Sequence, residues 1–257
     1  MTVFMHIKVI GQGPDLVMLH GWSMNSAVWH DLATGLAQHF TLHLVDLPGH
    51  GQSDWQAGDL DLDRVVDTLS KQLPEQAYWL GWSLGGLISL AFADRFPARV
   101  SKLILLSATP CFVKNETWDC AMDATIFKVF ADNLNDDQAD TLQRFLLLQA
   151  RGSKHSRDTI KQLNQQLAID APPKQVALQA GLDLLINTDL RSPLAILNCP
   201  VKMILGDRDT LIPMTMLAEA LSVHPTLQTS ILVGAGHAPF IAQAEQCQNE
   251  IVQFLND

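Results

Sequence analysis

The feature that most constrains this chain is a series of short, almost unbroken apolar runs separated by stretches with helical spacing. Leu16-Val17-Met18-Leu19 and Leu42-His43-Leu44-Val45 come first. Ala77-Tyr78-Trp79-Leu80 and Leu103-Ile104-Leu105-Leu106 follow, then Val201 to Leu205 and Thr229 to Val233. A strand with one wet face alternates apolar and polar residues, so a run without alternation marks a strand covered on both faces. Met1 to Gly11 adds a strand of the alternating kind, with Val3, Met5, Ile7 and Val9 in register. Helical patterns fall near residues 26–38, 60–73, 84–96, 213–223 and 241–255. Strands alternating with helices predict an α/β fold, a mostly parallel sheet with helices on both faces.

The rhythm fails between Cys111 and Arg191, where no strand pattern occurs. Phe127, Phe130 and Leu134, then Leu142, Phe145, Leu146 and Gln149, recur at helical spacing, and Pro172-Pro173 interrupts the segment. This predicts a helical insertion, a lid over 111–191, with 1–110 and 192–257 forming the core. Its position puts it over the C-terminal edge of the sheet, where open α/β sheets bind ligands.

Composition narrows the function. The chain has 257 residues, is 17% charged against the usual quarter or so, and carries a net charge of −10. An acidic balance argues against nucleic acid as a partner. The four cysteines, Cys111, Cys120, Cys199 and Cys247, form no C-x-x-C pair, and the histidines show no zinc spacing. No metal site and no cofactor are expected. No signal peptide is expected, and no apolar stretch approaches the ~18 residues of a membrane span. A cytoplasmic monomer is the expectation.

Gly81-Trp82-Ser83-Leu84-Gly85-Gly86 follows one apolar run and opens a helical one. That is G-x-S-x-G in its strand–turn–helix context. A serine on so tight an elbow needs very small neighbours, which Gly81 and Gly85 supply, while Gly86 lets the helix pack close to the sheet. The helix N-terminus favours negative charge at the serine. Ser83 therefore predicts a nucleophile, and a serine hydroxyl needs a base. Downstream lie His155, His224 and His237. His155 reads as a solvated surface residue and His224 as a charge at a helix C-terminus. His237, in the loop Gly234 to Phe240 after the last strand run, is the expected base. Asp207 and Asp209 both follow the run at 201–205; Asp209, farther round the loop, is the expected third member, with Asp207 as its rival. Backbone N–H groups of Leu84 and of Trp22, in His20-Gly21-Trp22-Ser23, are the expected oxyanion donors. His20 reads as a loop-fixing residue. Asp46 to Ser53 lacks phosphate-loop spacing and reads as a turn bordering the pocket.

Taken together, His20-Gly21-Trp22, Asp46-Leu47-Pro48-Gly49-His50-Gly51, Gly81 to Gly86 and Gly236-His237-Ala238-Pro239-Phe240 resemble the α/β-hydrolase superfamily. Phe40 to Gly49, Trp79 to Gly86, and Arg144-Phe145-Leu146 with Leu148-Gln149 resemble, within it, the family of pimeloyl-[acyl-carrier protein] methyl ester esterases of biotin synthesis. The resemblance implies the triad Ser83, Asp209 and His237. It also implies substrate contacts at Trp22, Ser83, Leu84, Phe145, Leu146, Leu147, Leu148, Gln149 and His237. It further implies basic lid residues that grip an acidic carrier protein: Arg144 and Arg157 match, Lys161 stands for an arginine, and Asp140 replaces a base. Independently, Arg144, Arg151, Lys154, Arg157 and Lys161 face a single acid, Asp158, between 144 and 161. A basic patch in an acidic chain steers acidic macromolecules, although an ordinary solvated helix face has the same look. A small-ester or thioester hydrolase without a carrier, and a non-catalytic receptor on this fold, are the alternatives.

Overall fold

The computed structural model describes residues 4–257. Seven strands build one sheet: β1 (Ile7–Gly11), β2 (Asp15–Leu19), β3 (Thr41–Val45), β4 (Ala77–Trp82), β5 (Val100–Leu106), β6 (Val201–Gly206) and β7 (Gln228–Leu232). Their order is β1-β3-β2-β4-β5-β6-β7, with β1 antiparallel to β3 and every other pairing parallel. The first strand begins at Ile7, later than the alternation suggests, and Val3 lies outside the described residues.

Successive residues of a strand point to opposite faces, and the two apolar clusters sort accordingly. Val17, Leu19, Trp79, Leu103 and Leu105 belong to one; Leu16, Met18, Leu80, Ile104 and Leu106 belong to the other. Every residue of the central strands thus has a buried partner, which is why those segments read as continuous apolar runs. On the first face pack α2 (Leu62–Gln72), α3 (Leu84–Arg95) and later α8 (Arg191–Ile196) and α9 (Thr215–Val223). On the second pack α1 (His30–Leu36), preceded by a 3-10 turn at Ser26–Trp29, and the C-terminal α10 (Pro239–Ala242) and α11 (Ala244–Asn256). The stacked rings of Trp79 and Phe92, 4.0 Å apart, fasten α3 to β4 beneath the elbow.

Between β5 and β6 run α4 (Ala124–Asp136), α5 (Gln138–Ala150), α6 (Ser156–Leu167) and α7 (Gln175–Asn187), then α8. Isolated bridges such as Cys111↔Asp189 are the only extended pairings described in this stretch. Pro172 and Pro173 separate α6 from α7. Asp123 and Asp137 cap α4 and α5 by accepting from Thr125 N and Asp140 N, satisfying N–H groups the helices leave free. No helix among the described residues is long and apolar enough to cross a membrane.

Candidate active site

Because β2, β4 and β5 are parallel neighbours, their C-terminal loops emerge side by side. Among the described residues the non-glycine residues with positive φ are Ser23 (69°), Ser83 (54°) and Ser107 (41°), one just after each of these strands. Such backbone costs about 1–3 kcal/mol per residue and persists where the surroundings enforce it. At Ser83 the enforcement is visible. A Cβ on Gly85 would lie 2.3 Å from Leu19 O and 2.6 Å from His20 O. Only glycine lets the first turn of α3 press against the end of β2, and that contact brings the Leu84 N–H beside the loop carrying Trp22. Neither the Leu84 nor the Trp22 backbone N–H has an acceptor among the described residues.

Asp209 and His237, the expected acid and base, meet across the ends of β6 and β7. A Cβ on Gly206 would fall 2.4 Å from both Ala235 O and Gly236 O, so glycine there lets the two loops touch. His237 Nδ1 lies 2.8 Å from Asp209 Oδ2, and both side chains are fully buried. Asp209 Oδ1 accepts from Leu211 N at 2.8 Å and Ile212 N at 3.0 Å, which holds the carboxylate in place. With Nδ1–H committed to Asp209, Nε2 carries the free lone pair; it is buried and has no hydrogen-bond partner, Ser83 Oγ included, among the described residues. Asp207, the rival acid, instead accepts from Gly234 N and lies 3.6 Å from Arg208.

Three further contacts position the histidine. The Trp82 indole N–H donates to His237 O at 2.8 Å, and its ring packs 5.8 Å from the imidazole. The His237 N–H donates to Gln149 O at 3.0 Å. Trp82 precedes Ser83, so the loops carrying Ser83 and His237 are tied through adjacent residues. The indole of Trp22 in turn donates to Leu178 O of α7 at 2.8 Å and meets the Phe145 ring edge-on at 4.6 Å. Sequence reasoning missed Leu178 and the roles of Trp82 and Gly206. The tryptophan in Gly81-Trp82-Ser83-Leu84-Gly85-Gly86 was the one visible signal for Trp82.

The segment Phe145 to Gln149 divides around α5. Phe145 and Gln149 are buried toward Trp22 and His237. Leu146 is buried in the other cluster, with Leu163 of α6, and lines a groove of about 360 Å³ between α5 and α6. Leu147 is 52% exposed and faces solvent, since five consecutive helical residues cannot share one face. His224 also departs from expectation. It ends α9 but is buried, and burial lowers its pKa below the ordinary imidazole value, so it is no helix-end charge at neutral pH. His155 is exposed just before α6. His20 accepts from Leu47 N through Nε2 at 2.9 Å, joining the loops after β2 and β3 as a loop-fixing residue. On α5, Arg144 pairs with Asp140 at 2.6 Å, whereas Arg157 and Lys161, one turn apart on α6, are exposed and make no ion pair among the described residues.

Residues 14–244 match the model of the alpha/beta hydrolase fold family. The chain is 43% identical over 253 residues to the pimeloyl-[acyl-carrier protein] methyl ester esterase of Xylella fastidiosa (strain M12), covering 98% of both chains. It is 41% identical to the enzyme of the same name from Aeromonas salmonicida (strain A449), covering 97% of this chain and 98% of that one. Among solved structures it is similar to an esterase from Exiguobacterium antarcticum, with a TM-score of 0.89, 21% identity and 99% and 96% of the two chains covered. A bromoperoxidase from Bacillus anthracis aligns with a TM-score of 0.90 at 19% identity over the same shares. The last two show the fold; the sequence relatives show the branch. The chain belongs to the α/β-hydrolase fold family, among the pimeloyl-[acyl-carrier protein] methyl ester esterases.

Proposed function

We propose that this chain is a serine carboxylesterase that hydrolyses the methyl ester of pimeloyl-[acyl-carrier protein], freeing the pimeloyl carboxylate for biotin synthesis. The observation that carries the esterase chemistry is the buried 2.8 Å pair of His237 and Asp209, tied through Trp82 to the strained Ser83. The carrier-bound methyl ester comes from the relatives' name.

Ser83 Oγ attacks the ester carbonyl while His237 Nε2 takes its proton, a contact that tightens when substrate is bound. Asp209 holds the imidazole in the Nδ1–H tautomer and stabilises the imidazolium. The N–H groups of Trp22 and Leu84 receive the developing oxyanion. His237 returns the proton to the departing methanol, leaving an acyl group on Ser83, which water then removes. These steps call on no metal and no cofactor, and all three triad residues come from one chain, so a monomer suffices. Trp22, Phe145, Leu148 and Gln149 line the acyl site, and residues 111–191 act as its lid.

The carrier protein docks on the lid. Arg157 and Lys161 present two unpaired charges on α6, with Arg151 and Lys154 exposed nearby. Asp140 compensates Arg144, so Arg144 contributes less. Four free cysteines fit a reducing compartment, and we place the enzyme in the cytoplasm. A fluorophosphonate probe tests the nucleophile: it should label wild type at Ser83 and leave Ser83→Ala unlabelled. Labelling of a different residue would overturn the assignment.

A further inference from the structure

We propose that Gln149 orients the water that hydrolyses the acyl-enzyme, an inference that rests on the triad assigned above. Gln149 lies in the last turn of α5 and is 1% exposed. Its main-chain oxygen takes the His237 N–H at 3.0 Å and sits 3.0 Å from where a Cβ on Gly236 would be, so α5 rests directly on the histidine loop. Its side-chain Oε1 is buried and has no donor among the described residues. A buried acceptor without a donor is unfavourable, and a leucine or methionine would fill the same volume without that cost. The amide is held for a donor that arrives during the reaction.

His237 Nε2 is in the same state: buried, an acceptor because Nδ1–H is bonded to Asp209, and unpartnered. Two orphan acceptors therefore belong to residues whose main chains are bonded to each other. Water carries two O–H donors. In deacylation one O–H must point at Nε2, which removes its proton; the other needs an acceptor, and Gln149 Oε1 supplies it. With both O–H bonds fixed, the oxygen is oriented so that one of its two lone pairs is aimed at the acyl carbon. The water oxygen bonds to that carbon as its proton passes to Nε2. The tetrahedral species collapses by breaking the bond from carbon to Ser83 Oγ, and His237 gives the proton to Oγ. The second water proton leaves on the carboxylic acid and ionises in solvent. In acylation the nucleophile is Ser83 itself, and Gln149 has no proton to orient.

Methanol separates this role from a structural one. As an acyl acceptor it has a single O–H, which goes to Nε2, so it has no use for Gln149. Wild type, Gln149→Met and Gln149→Leu are given a p-nitrophenyl ester with a fixed concentration of methanol. Quenched-flow and intact-mass measurements follow the burst, the Ser83 adduct, and the ratio of methyl ester to free acid. Both variants should lose far less in the burst than in turnover, accumulate acyl-Ser83, and hydrolyse it about 10²-fold more slowly, the cost of misplacing a reacting group by about 1 Å. The methyl ester to acid ratio should rise by a similar factor. That ratio is read from active molecules alone, so partial misfolding does not alter it. An unchanged ratio, or equal losses of burst and turnover, would overturn the proposal and leave the triad standing. Failure of wild type to acylate Ser83 would instead overturn the triad.

Discussion

Asp207 and Asp209 stand two residues apart, and their surroundings differ sharply. Asp209 is dry, accepts two backbone N–H groups and faces the imidazole; Asp207 is 27% exposed and fastens Gly234. Neutralising the first should therefore matter far more. Asp209→Asn should lower kcat about 10⁴-fold, because an amide no longer enforces the Nδ1–H tautomer. Asp207→Asn keeps an acceptor for Gly234 and should leave kcat near wild type. Steady-state kinetics on a p-nitrophenyl ester ranks the two, and the reverse order would make Asp207 the triad acid. The candidate triad could be read from the sequence because chemistry restricts type and spacing: a serine between glycines, a histidine after the last strand, an acid after the one before. Trp82, Leu178 and the Gln149 carbonyl were not, because they act through main-chain hydrogen bonds or at distances in sequence that no local pattern encodes.

At the scale of elements, the loops after β2 and β3 are fixed by buried polar groups. Asp46 accepts from Ser26 N at 2.7 Å and Gln52 N at 3.0 Å, and His20 accepts from Leu47 N. His50 packs 5.3 Å from His20, and burial, with the neighbouring His20, pushes its pKa down to about 3; burial lowers that of His20 too. Above pH 6.5 or so both rings are neutral in native and unfolded chains alike, and stability is unaffected. As pH falls below that, the unfolded chain takes up protons the native rings refuse, so stability drops until His50 titrates near 3. Each such ring contributes up to about 1.4 kcal/mol per pH unit. Chemical denaturation at stepped pH should show a slope between pH 6.5 and 4 that is shallower by up to that amount in His50→Asn than in wild type. Equal slopes would mean the His50 ring is protonated in the native protein. Elements themselves were readable wherever a run was buried on both faces. The edge strand β1 was overextended, since alternation continues past the point where pairing with β3 starts. The split of Phe145 to Gln149 between buried and exposed faces of α5 was not readable as one contact run, since adjacency in sequence is not adjacency on a helix.

For the molecule as a whole, a chain of net charge −10 carries Arg157 and Lys161 exposed on α6, with no ion pair among the described residues. Attraction between exposed charges is screened over about 8 Å at physiological salt and mainly governs encounter. Reversing Arg157 and Lys161 to glutamate should depress kcat/KM on carrier-bound ester and leave p-nitrophenyl esters nearly unchanged, with high salt mimicking the reversal for the carrier substrate alone. Equal losses on both substrates would assign those charges to folding. The α/β architecture and the helical stretch between β5 and β6 could be read from hydrophobic patterning, whereas the methyl leaving group could not: no composition or spacing encodes it, and it rests on likeness to relatives. The central claim is therefore tested most directly by incubating purified enzyme with pimeloyl-carrier methyl ester and weighing the carrier by mass spectrometry. Wild type should convert it to the free acid with release of methanol, and Ser83→Ala should leave it intact. An unchanged ester with wild type, or turnover by folded Ser83→Ala within about tenfold of wild type, would contradict the account, since triad members act as a unit.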